Sequence, residues 1–329
     1  MIARRQFILT LAAGGFLLHR PAYAQQAPKQ FRVGILAAGP PTPNGKPSKA
    51  LRDALQALGY VDGQNVVYEA RFADGKIERL PGMAAELVQL KVDVIVAQGG
   101  MAVVAAKQAT STVPIVMAPA TGDAVATALI ASLARPGGNI TGLSDEVAEL
   151  SAKRMQLLKE VVPKAERIAI IWNANDQGMT LRYRGIETAA KTLKVEVQAI
   201  SVREPGDFAA AFTEMSRRKP DAIFLVSDVV TQANRKQLIE FAAANRIPAM
   251  YEFGYYVREG GLMSYGPSIE DSFRQAAVYI DRILKGAKPA DLPAEQPTRY
   301  YLNFNSTTAA ALGLPLTQSL LLRADEVIR

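Results

Sequence analysis

One stretch of this chain occurs twice, and a repeat of that length narrows the architectures open to it. The first copy runs from Lys91 to Asp123 and reads KVDVIVAQGGMAVVAAKQATSTVPIVMAPATGD. Val92 to Ala97 is an almost wholly apolar run, too short for a helix and rich in β-branched residues, which predicts a buried parallel strand. Gln98-Gly99-Gly100 breaks it, a helical segment follows to about Gln108, and Pro114-Ile115-Val116-Met117 starts another strand. The pattern returns from Lys219 as KPDAIFLVSDVVTQANRKQLIEFAAANRIPAMYEF. Lys91-x-Asp93-x-Ile95 aligns with Lys219-x-Asp221-x-Ile223, and Pro114 to Met117 with Ile247-Pro248-Ala249-Met250. Two copies of one α/β unit imply two lobes, and 329 residues suffice for each to bury its own core.

The flanking segments extend both copies. Strands are expected at Phe31 to Ala37, Asn65 to Phe72, Pro114 to Ala118 and Ile140 to Leu143, with helices after Ser48, at Ile77 to Leu90 and at Ala124 to Leu133. That alternation specifies a doubly wound parallel sheet covered by helices on both faces. Glu149 to Val161 is a connecting helix, and Arg167 to Trp172 opens the second lobe. Strands at Val195 to Val202 and Gly261 to Tyr265 and a long helix after Ser268 follow, with Lys285 to Pro297 as a proline-rich surface linker. The last segments are too small for a third lobe, so the chain crosses between the two lobes more than once. The expected division is 31–143 plus about 266–300 for the first lobe and 149–251 plus about 301–329 for the second. Crossings are placed near 143–149, 252–266 and 300–305, which makes a multi-strand hinge.

Met1 to Ala24 has a basic start (Arg4, Arg5), an apolar run from Phe7 to Leu18 and a small-x-small ending, Ala22-Tyr23-Ala24, the three parts of a cleavable export signal. Arg4-Arg5-Gln6-Phe7-Ile8 also resembles a twin-arginine motif, although Ala3 and Leu9 are not its usual flanks, so both export routes stay open. The expected home of the mature chain is the periplasm. The formal charge of +7 becomes +4 once Arg4, Arg5 and Arg20 are removed, leaving 35 basic residues against 31 acidic ones. With no basic cluster interleaved with aromatics, nucleic acid is not an expected partner.

The absences are the stronger constraint. The chain has no cysteine, and its only histidine, His19, falls inside the signal segment. A mature chain without His or Cys cannot assemble a Ser-His-Asp triad, a Cys-His pair, or a thiolate or histidine zinc site. No G-x-G-x-x-G follows the first strand and no G-x-x-x-x-G-K-[ST] occurs, so neither a metal nor a nucleotide cofactor is expected.

In doubly wound sheets ligands bind beyond the carboxyl ends of the strands. The loops there make Ala38, Gln98, Gly99, Gly100, Asp123 and Thr141 candidate ligand-binding residues from the first lobe. Trp172, Asn173, Asn175, Ser227, Asp228, Tyr251, Glu252 and Tyr265 are the candidates from the second. Helix N-termini after Gly100 and Asp228 offer N–H groups to a carboxylate. Asp123, Asp228 and Glu252 are placed to receive an ammonium, and Trp172, Tyr251 and Tyr265 offer flat walls. Each has a competing structural role: the glycines in a tight turn, the aspartates as helix caps, Trp172 in the core and Tyr265 in hinge packing. The pairs Asp145/Glu146 and Glu204/Asp207 lie in polar surface runs.

VGIL at Val33, AAKQATSTVPIVM, TGDAVATALIASLARPGGNITGLSD, SAKRMQLLKEVVP and GGLMSYG together resemble the periplasmic substrate-binding components of ABC transporters, in the branch with tryptophan- and aromatic-amino-acid-binding members. These phrases cover most of the mature chain. The resemblance implies the type I periplasmic-binding-protein architecture, with three crossover strands and ligand-induced closure. Where the family usually has Asp-Pro this chain has Asp123-Ala124, and where a Thr is common it has Gln98, so the ligand does not carry over with the fold. The expected function is capture of a small organic molecule, an amino acid or aromatic carboxylate first among them, by a monomer that delivers it to an inner-membrane permease. The rivals are an exported enzyme using carboxylates alone, which needs two of them roughly 5–10 Å apart, and a sensory module serving a membrane receptor.

Overall fold

The computed structural model describes residues 30–119, 122–144 and 148–329. The signal segment and the Asp145/Glu146 pair lie outside the described residues. The first lobe contains β1 (Phe31–Ala37), α1 (Lys49–Ala57), β2 (Val66–Phe72), α2 (Leu80–Gln89), β3 (Val94–Gln98), α3 (Gly100–Ala109), β4 (Ile115–Met117) and β5 (Ile140–Gly142). Its strands form a parallel sheet in the order β2-β1-β3-β4-β5. Period-two alternation sorts their side chains: Leu36, Ile95, Ala97 and Met117 pack on one face, and Val33, Ile35, Val94, Val96 and Val116 on the other.

The chain continues through α4 (Ala148–Val161), β6 (Arg167–Asn173), α5 (Gln177–Thr192), β7 (Glu196–Val202), α6 (Asp207–Arg217), β8 (Ala222–Leu225), α7 (Val229–Ala233), α8 (Arg235–Ala244), β9 (Ala249–Tyr251), α9 (Gly254–Arg258) and β10 (Met263–Gly266). After β10 it returns to the first lobe as α10 (Ile269–Leu284), whose Phe273, Ala276, Tyr279 and Ile280 join the face that holds Val33 and Leu51. It then re-enters the second sheet as β11 (Tyr301–Asn305), followed by α11 (Ser306–Ala311), α12 (Gln318–Arg323) and β12 (Glu326–Ile328). The second sheet runs β12-β11-β10-β9-β8-β6-β7, with β11 antiparallel to β10 and the other pairs parallel. The chain thus passes between the sheets three times: between β5 and α4, after β10, and before β11. Among the described residues no helix is long and apolar enough to cross a membrane.

The repeat has a physical cause that the side chains make visible. Asp93 Oδ2 accepts the backbone N–H of Arg32 at 2.7 Å, fixing the start of β1. Its counterpart Asp221 Oδ2 accepts the N–H groups of Glu166 and Arg167, both at 2.8 Å, fixing the start of β6. In each copy the aspartate sets the register of the strand next door.

Two expectations change. Ala124 to Leu133 forms turns, not a helix. The Asp123 carboxylate caps Val125 and Ala126, but Ala128 adopts φ 54° and ends the turn, and Lys107 Nζ takes up the Ala128 carbonyl at 2.6 Å. The 285–297 linker is also tied down rather than free. Glu295 N donates to Gly142 O and Ser144 N to Glu295 O, both at 2.9 Å, while Leu292 and Ala294 are buried against the first lobe.

Candidate ligand-binding site

The two copies differ most at the turn that follows the central strand, and that difference shapes the cleft. In the first lobe Gly99, at φ 88°, turns β3 into α3 and caps it with no side-chain hydrogen bond. Ala102 and Val103 donate to the Gly99 carbonyl. Gly100 and Met101, as first-turn residues, have no acceptor inside the helix, and both line the cleft. In the second lobe the equivalent turn closes on itself: Asp228 Oδ1 accepts from Thr231 N at 2.9 Å, and Thr231 Oγ1 accepts from Asp228 N at 2.8 Å. The expectation of two open helix N-termini therefore holds for α3 alone, because Asp228 occupies its own.

Between the lobes lies a cavity of about 780 Å³, within the usual range for a small-molecule site. Ala38, Gln98, Gly99 and Gly100 line it from the first lobe, and Ser227 and Asp228 from the second. Ser227 is 2% exposed, and its buried hydroxyl lies beside that of Tyr256 in the second lobe. Asp228 is buried, with Oδ2 accepting from Asn173 Nδ2 at 2.5 Å. Burial pushes its carboxyl above the usual range, while hydrogen bonds from Thr231 and Asn173 pull against that rise.

Asp176 also lines the cavity, at the N-terminus of α5. Its Oδ1 accepts from Gly178 N and Met179 N, at 2.8 and 3.2 Å, which leaves Oδ2 for the cavity. Phe253 and Tyr255 follow β9, and Phe273 and Tyr301 stand nearer the crossings. Asp176 and Phe253 fall in the loops that the sequence places at the cleft, Asn173 to Asp176 and Tyr251 to Phe253, without being chosen there as ligand-binding residues; Tyr255, Phe273 and Tyr301 carry no such signal. Of the loop after β9, Phe253 lines the cavity, and Tyr251 and Glu252 do not.

The remaining sequence candidates lie elsewhere, each held by a structural task. Asp123 caps the turn described above. Thr141 is fully buried and its Oγ1 donates to Leu292 O at 2.7 Å. Trp172 stacks on Tyr183, with ring centroids 3.9 Å apart, inside the second lobe's core. Asn173 positions Asp228 and, through Oδ1, receives the Asn175 N–H at 2.9 Å; the Asn175 side chain faces solvent. Tyr251 is buried against Tyr256 at 4.7 Å. Tyr265 packs on the second lobe's core, and its carbonyl accepts from Arg154 Nε at 2.6 Å.

Glu252 is the most tightly held. Oε1 pairs with Arg154 at 3.2 Å and Oε2 with Arg182 at 3.0 Å, all three side chains being at most 3% exposed. Arg182 also reaches the first lobe, where a Cβ at Gly122 would sit 3.8 Å from its guanidinium. With Asp123, Asp228 and Glu252 each committed to caps or ion pairs, a paired-carboxylate reaction centre is not favoured.

Two α/β lobes around a cleft with an open helix N-terminus, crossed three times at one side, define a bilobal solute-binding protein. The chain belongs to the ABC transporter substrate-binding protein family, whose pattern it matches over residues 45–328. It is 26% identical over 286 residues to a tyrosine-binding protein of Clostridioides difficile strain R20291, covering 87% of this chain and 82% of that one. Among solved structures it is similar to a conserved domain protein from Vibrio cholerae O1 biovar El Tor, with a TM-score of 0.85 and 25% identity over 91% of this chain and all of that one. An ABC domain from Streptococcus pneumoniae in complex with L-Trp matches over the same shares, at TM-score 0.84 and 25% identity. The family is one of substrate-binding proteins, which typically work outside the cytoplasm.

Proposed function

We propose that this chain captures an α-amino acid between its lobes in the periplasm and delivers it, as a monomer, to the inner-membrane permease of an ABC importer. The observation that carries this reading is the pairing of opposite charges across one cleft. The open N-terminus of α3 presents the Gly100 and Met101 N–H groups and its positive dipole end to a carboxylate. Asp176 on the other wall, with Asp228 behind it, faces an ammonium. A zwitterion satisfies both. The tyrosine-binding relative and the L-Trp complex of the structural neighbour support the same class. The export segment at 1–24 is consistent with an extracytoplasmic site.

Capture needs no covalent step. Groups from both lobes meet the ligand only when the lobes approach, so the ligand stabilises the closed arrangement by its differential affinity. Asp176→Asn tests the ammonium side cleanly, because the amide oxygen keeps the cap on α5 while the charge disappears. Affinity for the best-bound amino acid should fall about ten- to hundred-fold, as expected for one charge-assisted hydrogen bond. The unfolding midpoint of the unliganded protein should stay within error. Unchanged affinity in a calorimetric titration would place the ammonium elsewhere and defeat this assignment.

A further inference from the structure

The charges lining the cavity do not balance. Six carboxylates line it: Asp176, Asp228, Glu270, Asp271, Asp325 and Glu326. Against them stand three guanidinium groups, each already held by one of the six: Arg258 by Glu326 and Arg299 by Asp325, both at 3.2 Å, and Arg274 by Asp271. Among the described residues no lysine or arginine pairs with Asp176, Asp228 or Glu270. Even with Asp228 neutral, two negative charges are left over. One of them, Asp176, is assigned above to the ligand's ammonium. The other, Glu270, lies in the first turn of α10 and is exposed, with the Ser268 hydroxyl donating to Oε2 at 3.3 Å.

The lining that Glu270 shares is suited to a long side chain. Phe253 and Tyr255 supply apolar rings from the second lobe, and Phe273 and Tyr301 supply them near the start of α10. Aromatic faces accept both an alkyl stem and a cation.

We propose that the cavity prefers α-amino acids whose side chain carries a second cation, the lysine and arginine class, and that Glu270 is the specificity-determining residue for that cation. This rests on the amino-acid reading above, with the α-carboxylate at α3 and the α-ammonium at Asp176. The side-chain stem then runs along the aromatic rings, and the cationic head meets the uncompensated carboxylate at the cavity's edge. An acidic side chain in the same place meets like charge.

The test is calorimetric titration of the unfolded-and-refolded protein with L-arginine, L-lysine, L-tryptophan, L-tyrosine and L-glutamate, repeated with Glu270→Gln. The basic amino acids should bind about ten-fold or more tightly than the neutral ones, with glutamate weakest. In Glu270→Gln the ratio of arginine to tryptophan affinity should fall about three- to ten-fold, and high salt should shrink it in the unmodified protein. Neutral amino acids binding as tightly as basic ones would overturn this inference alone, as would a ratio that Glu270→Gln leaves unmoved. Failure of every amino acid to bind would overturn the amino-acid reading itself.

Discussion

Replacing Glu252 by Gln is expected to lower the stability of the protein by about 3–5 kcal/mol, the cost of breaking a buried ion pair from one side. The carboxylate is 1% exposed and shared between Arg154 and Arg182. The amide keeps the shape but removes the negative charge from between two buried guanidinium groups. Each then carries its desolvation cost without that compensation, and the two repel. The position also matters for function. Glu252 is the residue before Phe253, which lines the cavity, and Arg154 belongs to α4, the first helix after the passage from the first lobe. Urea unfolding would show a markedly lower midpoint at similar slope. A loss below about 1 kcal/mol would mean that the triad is solvated and not the buried clamp described here.

Replacing Gly266 by Ala should be comparably damaging for a different reason. An added Cβ would lie 1.9 Å from the carbonyl oxygen of Glu252. That oxygen belongs to backbone, so relief requires the end of β10 to move away from the segment after β9. The expected cost is about 3 kcal/mol, with weaker ligand binding because this is where the chain leaves the second sheet for α10. Gly82→Ala is the matched control: Gly82 lies within α2 with nothing within 4 Å of the added carbon. There the same change should stabilise by about 0.5–1 kcal/mol. Equal effects at the two positions would contradict the packing given for the crossing.

Both predictions concern a region the sequence described poorly. The sheets were legible because short β-branched runs bounded by glycine or proline leave few alternatives, and because the repeat fixed the register of one lobe against the other. The matched aspartates Asp93 and Asp221 were visible as a pattern, and the structure supplies their task at the strand starts. The turn at Gly99 was legible for the same reason, since only a residue tolerant of φ 88° ends β3 there.

What the sequence could not show was direction. Whether Glu252 or Phe253 reaches the cleft is decided after β9 ends at Tyr251, in the turn into α9, where no strand period applies. Asp176, Glu270 and Asp325 come from segments far apart in the chain, and only the crossings bring them to one cavity. The buried triad was equally hidden, because Arg154, Arg182 and Glu252 are separated by 28, 70 and 98 positions and no local pattern marks a buried charge. Ala124 to Leu133 misled for the opposite reason. Its composition favours a helix, but Ala128 and the Lys107 contact end it after a turn.

The most direct test of the central claim is thermal unfolding of the mature protein, first unfolded and refolded to remove any bound solute, against amino acids, sugars and polyols. A ligand at about a hundred times its dissociation constant adds roughly 2.7 kcal/mol, which is several degrees for a protein of this size. The account predicts a saturable rise with one or more α-amino acids and none with sugars or polyols. A rise with a sugar or polyol and none with any amino acid would contradict it.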